Sequence, residues 1–337
     1  MKRVKGSSSK VTVVAITSVA VTALATTLAA FSLSNPDDSP GACDAQSVDA
    51  PGQGCAKALA ALLEQGKQIF RFDTFGDEDY WGGTLQLHKA IEGAALGGVG
   101  PGVSPKTALT VAGLKVDVDA LPGDLQAKLK QGKVDLDSPA TTLALLKLNA
   151  VVGVKGVFDK GGGSLSSIGI TCALCHSTVD DSFAPGIGKR LDGWPNQDLN
   201  TGLIVSLAPN LAPVADKILG ASDEATIDTL KKVLLSWGPG FYDAEVNIDA
   251  IGFRPDGKSA AVRIPAAYGH LGEDLHTWTG GFGNVTYWNA YVANLQMHGK
   301  GNFNDERFND PAKYPAAVRA GSFKVRHDPD LVTSKLA

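Results

Sequence analysis

Sulfur is scarce in this chain: 337 residues hold two methionines, one of them the initiator, and four cysteines. So few cysteines exclude a disulfide-built scaffold, which packs several bridges into a short chain. An excess of positive charge is missing too. Lys and Arg total 31 against 35 Asp and Glu, a formal charge of −4, which leaves no net base to neutralise phosphates and argues against a nucleic-acid partner. Neither an internal repeat nor a long alternating strand pattern runs through the sequence. With 44% hydrophobic and 20% charged residues, the chain is too apolar and too weakly charged to be disordered. Glycine is what abounds: 39 residues, with 17 prolines, predict long loops around a modest set of regular elements.

Lys2, Arg3, Lys5 and Lys10 precede an uncharged run from Val11 to Leu33, closed by Asn35, Pro36, Asp37 and Asp38. A basic start, an apolar middle and a small-residue end form the pattern of a secretory signal. Residues 1–33 are therefore expected to be an export signal, or a membrane tether if left uncleaved, because about 20 apolar residues span a bilayer. Export predicts a periplasmic protein. Loss of residues 1–30 removes four basic residues and no acid, leaving 27 against 35 and a charge of −8. Residues 34–55 read as a linker. It holds Cys43 and Cys55, which either close a small disulfide loop or stay separate thiols. Residues 56–337 are expected to form one functional domain.

Periodicity predicts helices over Lys57–Phe70, with Leu59, Leu62, Leu63 and Ile69 as its apolar stripe, and over Tyr80–Ile91. The acids Asp77, Glu78 and Asp79 read as the first turn of the second helix, favoured by its dipole. Residues 93–122 read as irregular. Ser138-Pro139 starts a helix running to about Val152, and Gly161-Gly162-Gly163 breaks the chain. Ser222 caps a helix over Asp223–Trp237, stopped by Gly238 and Pro239. A last helix is expected over Val285–Met297. The fold reads as mainly α, with long Gly/Pro-rich loops.

Cys172, Cys175 and His176 spell C-x-x-C-H, the attachment signature of a c-type haem. Two thiols three residues apart form thioethers to the two haem vinyl groups, and the adjacent imidazole takes the iron from one face. Zinc needs a second ligand pair, but the other cysteines lie 117 or more residues away. A thioredoxin-type dithiol needs a βαβ context, whereas Gly161–Gly169 reads as a Gly/Ser loop. One motif predicts one haem c, and thus one iron, per chain. Its proximal ligand is His176. For the sixth ligand Met297 is the first candidate, followed by His298, His88 and His276. Trp194, Trp278 and Trp288 are available to line the pocket.

Beyond the haem motif, several segments resemble exported bacterial c-type cytochromes related to the di-haem cytochrome c peroxidases. They are Gly66-Lys67-Gln68-Ile69-Phe70, Ile170 to Ser177, Gly193-Trp194-Pro195-Asn196, Ala208-Pro209-Asn210-Leu211 and Arg263-Ile264-Pro265-Ala266-Ala267-Tyr268-Gly269. The path from His276 to Met297 is similar to that family's route from a histidine loop to a ligand methionine. The resemblance implies a cytochrome c-like haem domain with insertions. Peroxidases of the family carry two C-x-x-C-H motifs; this chain carries one and resembles the N-terminal haem half. It is expected to transfer single electrons with other redox proteins, or with a second haem-bearing domain or chain. The alternative is a peroxidase-like oxidoreductase with an exchangeable sixth iron site, for which Glu273, Asp274 or Gln296 supplies the acid, base or amide. A haem sensor, or a subunit needing a second haem chain, is the third reading.

Overall fold

A computed structural model describes residues 53–242, 261–269, 289 and 292–300. The chain divides into two units, Met1–Ala58 and Leu59–Ala337, and the site lies in the second. The expected export signal, Cys43, His276, Glu273, Asp274, Trp278 and Trp288 lie outside the described residues, as does the proposed partner thiol's side chain at Cys55. Among the described residues no helix is long and apolar enough to cross a membrane.

The expectation of a mainly α fold is corrected here: 46% of the described residues are helical and 13% lie in strands, in mixed α and β structure. The elements are α1 (Gln53–Phe72), α2 (Leu87–Glu92), α3 (Pro105–Thr110), β1 (Val116–Asp117), α4 (Gly123–Lys130) and α5 (Pro139–Lys147). Then come β2 (Val154–Phe158), β3 (Leu165–Ile170), α6 (Ala173–His176), β4 (Ser177–Val179), β5 (Ile187–Gly188) and β6 (Arg190–Asp192). The series ends with α7 (Thr201–Ser206), α8 (Ala212–Leu219), α9 (Glu224–Leu235), β7 (Phe241–Tyr242) and β8 (Val262–Arg263). Two π-helical turns, Asp79–Thr84 and Val292–Gln296, stand apart from these.

Among the described residues the strands form four two-stranded ladders: β1 with β5 in parallel, and β2–β3, β4–β6 and β7–β8 antiparallel. Most are too short to produce a periodic signal, which is why the sequence pattern missed them. The β2–β3 hairpin is the exception in length. Gly161–Gly163 is its turn rather than a break: Asp159 accepts a hydrogen bond from the Gly163 N–H (2.7 Å) and Gly162 takes φ +65°. A bulge between Val157 and Phe158 breaks the strict alternation of its apolar side chains.

The helix expected over Tyr80–Ile91 is two elements, a π turn and α2, parted by Gln86 at φ +57°. Asp77 is fully buried instead of capping a helix at the surface. α5 stops at Lys147, and Asn149 at φ +53° turns the chain away. Asp223, not Ser222, caps α9, accepting from the Thr226 N–H at 3.1 Å. Within 93–122, Ser104 caps the short α3 through the Thr107 N–H. On α1, Leu59, Leu62 and Leu63 are exposed.

The main core joins the hairpin (Leu165, Ile168) to α5 (Leu143, Leu145, Leu146) and to Leu199, Leu230 and Leu234 of the later helices. A second, small cluster of Phe75, Ala293 and Met297 packs against Ile69, Ile170 and Cys172. The C-x-x-C-H segment touches both cores, Cys175 packing on the first and Cys172 on the second.

Candidate functional site

β3 runs straight into the motif. Ile170 ends the strand, Thr171 donates its N–H to the Gly153 carbonyl (3.0 Å), and Cys172 begins the single helical turn α6. His176 closes that turn and Ser177 opens β4. β3 pairs with β2 and β4 with β6, so the parallel pair of a thioredoxin-type crossover is absent here even though the segment before the motif is a strand rather than the loop expected. Gly153 makes the close approach possible: it sits at φ +76°, where a Cβ would lie 2.1 Å from the Leu174 nitrogen.

A short helix leaves its last carbonyls unpaired, and the segment after β6 fills them. Gly193 donates its N–H to the His176 carbonyl and Asn196 donates its N–H to the Cys175 carbonyl, both at 2.8 Å. Asn196 is itself buried and donates its side-chain amide to the Gly113 carbonyl at 2.9 Å. Ser177 donates to Asp192 (2.7 Å), which also pairs with the Arg71 guanidinium at 2.5 Å. The motif is thus held from β4–β6 on one side and from the Gly193–Asn196 loop on the other.

His176 Nδ1 lies 3.0 Å from the Pro265 carbonyl oxygen. A carbonyl only accepts, so this contact places the ring proton on Nδ1 and leaves the Nε2 lone pair for a metal. Ala267 donates its N–H to the Gly193 carbonyl (2.8 Å), so the 264–267 segment is fastened to the loop that holds the motif.

His176 borders a cavity of about 840 Å³, inside the roughly 300–1,000 Å³ range of small-molecule and cofactor pockets. Its walls are mostly apolar: Trp81, Leu87, Leu145, Ile168 and Ile204 among them. Cys172, Cys175, Gln296 and Met297 line the same cavity. Burial pushes both thiols up to about 12, so they pack as neutral apolar groups. The Cys172 sulfur lies 4.0 Å from the Met297 sulfur.

Met297 is 3% exposed and is carried by the second π turn, its N–H bonded to the Val292 carbonyl at 2.9 Å. Such turns widen a helix by one residue and re-aim the next side chain. The Met297 carbonyl accepts the Trp81 indole N–H (2.9 Å), and Lys300 donates its N–H to the Phe75 carbonyl (2.7 Å). The first π turn, which carries Trp81, is pressed onto β3: a Cβ on Gly82 would meet Ser167 Oγ at 1.6 Å. Behind β3, Asp77 accepts from the Ile170 N–H at 3.1 and 3.2 Å. Burial, reinforced by Glu78 and Asp73, raises its carboxyl to about 9.

The structure therefore brings together Cys172, Cys175, His176 and Met297, with Gln296 beside them. It does not bring the other described histidines. His298, at φ +62°, turns away and stacks on the Tyr80 ring with centroids 3.6 Å apart, where burial pushes it down to about 3. His88 on α2 does not line the cavity. Trp194 is 51% exposed and leans on Tyr268 rather than lining the wall. Trp81, Asp77 and the Pro265 carbonyl escaped the sequence reading. Backbone groups have no residue signature, and Trp81 lies 216 positions from its partner Met297.

The chemistry of this donor set fits a covalent haem. There are two thiols for the vinyl groups, an imidazole of fixed tautomer, a thioether and an apolar enclosure large enough for the macrocycle. Among the described residues no group of three or more His, Cys, Asp or Glu is arranged around a metal ion, and a haem requires none, since its own ring supplies four ligands. Comparison with known proteins adds nothing to this: no family model, no curated protein and no solved structure matches the chain. The likeness to the di-haem peroxidase family rests on the quoted segments alone.

Proposed function

We propose that this protein is an exported c-type cytochrome that binds one haem through Cys172 and Cys175, with His176 as proximal and Met297 as sixth iron ligand, and transfers single electrons to other redox proteins in the periplasm. The observation that carries this reading is that all four side chains line one apolar cavity. Haem bound there supplies a one-electron Fe(III)/Fe(II) couple, whose potential methionine ligation raises relative to two imidazoles.

The residues of the chain do the rest. Cys172 and Cys175 retain the cofactor covalently. Pro265 holds the Nδ1 proton of His176 and thereby orients the ring and raises its basicity as a ligand. The π turn and the Trp81 indole hold Met297 toward the cavity. Leu145, Ile168 and Ile204 exclude water from the site, which favours the less charged ferrous state. Met297 also sets electron transfer ahead of the peroxidase-like alternative, which needs an open sixth position.

The test is mass spectrometry of the protein matured in a periplasm with haem-attachment machinery. The expected mass includes one haem, resists acid-acetone extraction, and loses the haem in Cys172→Ala/Cys175→Ala. A wild-type chain without covalent haem contradicts the proposal.

A further inference from the structure

The cavity carries almost no charge. Its described wall contains no carboxylate, and apart from the motif histidine Arg263 is its one cationic side chain. Arg263 belongs to β8, beside the exposed Val262 and close to the exposed Tyr268, so it stands at the mouth rather than in the depths. Its guanidinium is aimed by neighbours that, among the described residues, leave its terminal edge open. Gln197 donates its side-chain amide to the Ile264 carbonyl at 2.8 Å, which directs its oxygen outward to accept from Arg263 Nε. The Phe241 ring lies 5.9 Å beneath the guanidinium carbon. Neither terminal nitrogen has a hydrogen-bond or ion-pair partner among the described residues. Gly240, at φ +79°, lets Gln197 approach closely, its Cβ position lying 2.6 Å from the Gln197 carbonyl.

An arginine pre-oriented through Nε and stacked on an aromatic ring presents its two terminal nitrogens as a fork, the geometry that matches a carboxylate. A ligand suited to this cavity has a large apolar body and an anionic carboxylate end that reaches the mouth. Haem has that shape, since its propionates leave one edge of an otherwise apolar ring. We infer that Arg263, positioned by Gln197, binds a carboxylate of the occupant, namely a haem propionate. This rests on the haem reading above.

The consequence is electrostatic. An arginine on a propionate offsets negative charge near the iron and so favours Fe(II). Its removal shifts the balance toward Fe(III). Spectroelectrochemical titration of the haem-loaded full chain tests this with Arg263→Gln and Arg263→Lys. Arg263→Gln is expected to lower the Fe(II)/Fe(III) ratio at fixed potential several-fold, up to about tenfold, which is 59 mV for one electron. Arg263→Lys retains the charge and is expected to recover most of the shift, and the difference should shrink at high salt because Arg263 is exposed. A haem-loaded Arg263→Gln protein with the wild-type spectrum and wild-type potential overturns the propionate assignment and leaves the haem reading standing. A wild-type chain that carries no haem overturns both.

Discussion

The parts of the cavity wall that carry His176 and Met297, its His176 and Met297 faces, are built by different means. On the His176 face the frame comes from one stretch, Gly153 to Asn196: a hairpin, one helical turn, a small ladder and a loop that caps the turn's carbonyls, with Pro265 and Arg71 added from outside it. On the Met297 face only the π turn is local, and the contacts that anchor it are distant in sequence. Met297 follows a π turn near the end of the described chain, and Trp81 and Phe75, more than 200 positions earlier, hold that segment. Local hydrogen bonds fix the first face as soon as that stretch folds, whereas closing the second requires a long loop with its entropy cost. The His176 face is accordingly expected to be the more robust, and the Met297 face the one that opens first.

The largest expected effect comes from striking the His176 face at its closest approach. Gly153→Ala places a methyl against the Leu174 backbone at a positive φ, a combination that costs several kcal/mol. Thermal denaturation should show a strongly destabilised protein that carries little haem. If Gly153→Ala is as stable as wild type, the tight packing behind the motif is not the anchor described here.

Met297→Leu comes next and separates the faces cleanly. Haem attachment should persist, because Cys172, Cys175 and His176 are untouched, while the reduction potential falls on the order of 0.2 V, within the roughly 0.8 V that axial ligands span. Equal loss of attachment and ligation would make the two faces one unit.

Trp81→Phe keeps the packing and leaves the buried Met297 carbonyl without its donor. That costs about 1–3 kcal/mol, and it should fall on the Met297 face alone. Ligand loss on alkaline titration is expected at lower pH than in wild type, with haem attachment unchanged. An unmoved transition would show that the indole does not hold this turn.

The effect confined to pH involves Asp77. Its carboxyl rises from 3.8 to about 9 on folding, first through burial. A raised carboxyl is protonated in the native state while the unfolded chain ionises, so the native state binds more protons. Stability is then fully present below about 3.8 and is lost as pH rises toward 9, with a slope of at most about 1.4 kcal/mol per pH unit for one proton. Asp77→Asn should flatten the fall in denaturation midpoint between pH 5 and 8, a window inside those limits. A slope identical to wild type would mean that another group carries it.

This contrast also explains what the sequence disclosed. Cys172, Cys175 and His176 stood out as a candidate site because C-x-x-C-H is a fixed spacing within one turn. Met297 was legible by scarcity, as the chain has only one other methionine. Choosing it over His298 was not, because the next residue's positive φ, which turns the imidazole onto Tyr80, leaves no mark in a string of letters. The longer helices α1, α5 and α9 were expected from the sequence, though their ends shifted by one to five residues, the most at the start of α1 and the end of α5. The β structure did not follow. Ladders of two or three residues fall below any periodic signal, and the β2–β3 hairpin hides behind its bulge and the glycines of its turn. Asp77 shows the same limit: an acid beside two others reads as a solvated helix start, and only the fold reveals it behind β3.

The central claim is that a thioether from the distant face meets the iron held by the local one. The absorption spectrum of the oxidised, haem-loaded protein tests it most directly. A low-spin iron is expected, with a sulfur-to-iron charge-transfer band at the red end that is absent in Met297→Leu and unchanged in variants of His298 and His88. A high-spin ferric iron that takes up cyanide at once, with no such band in wild type, would contradict it.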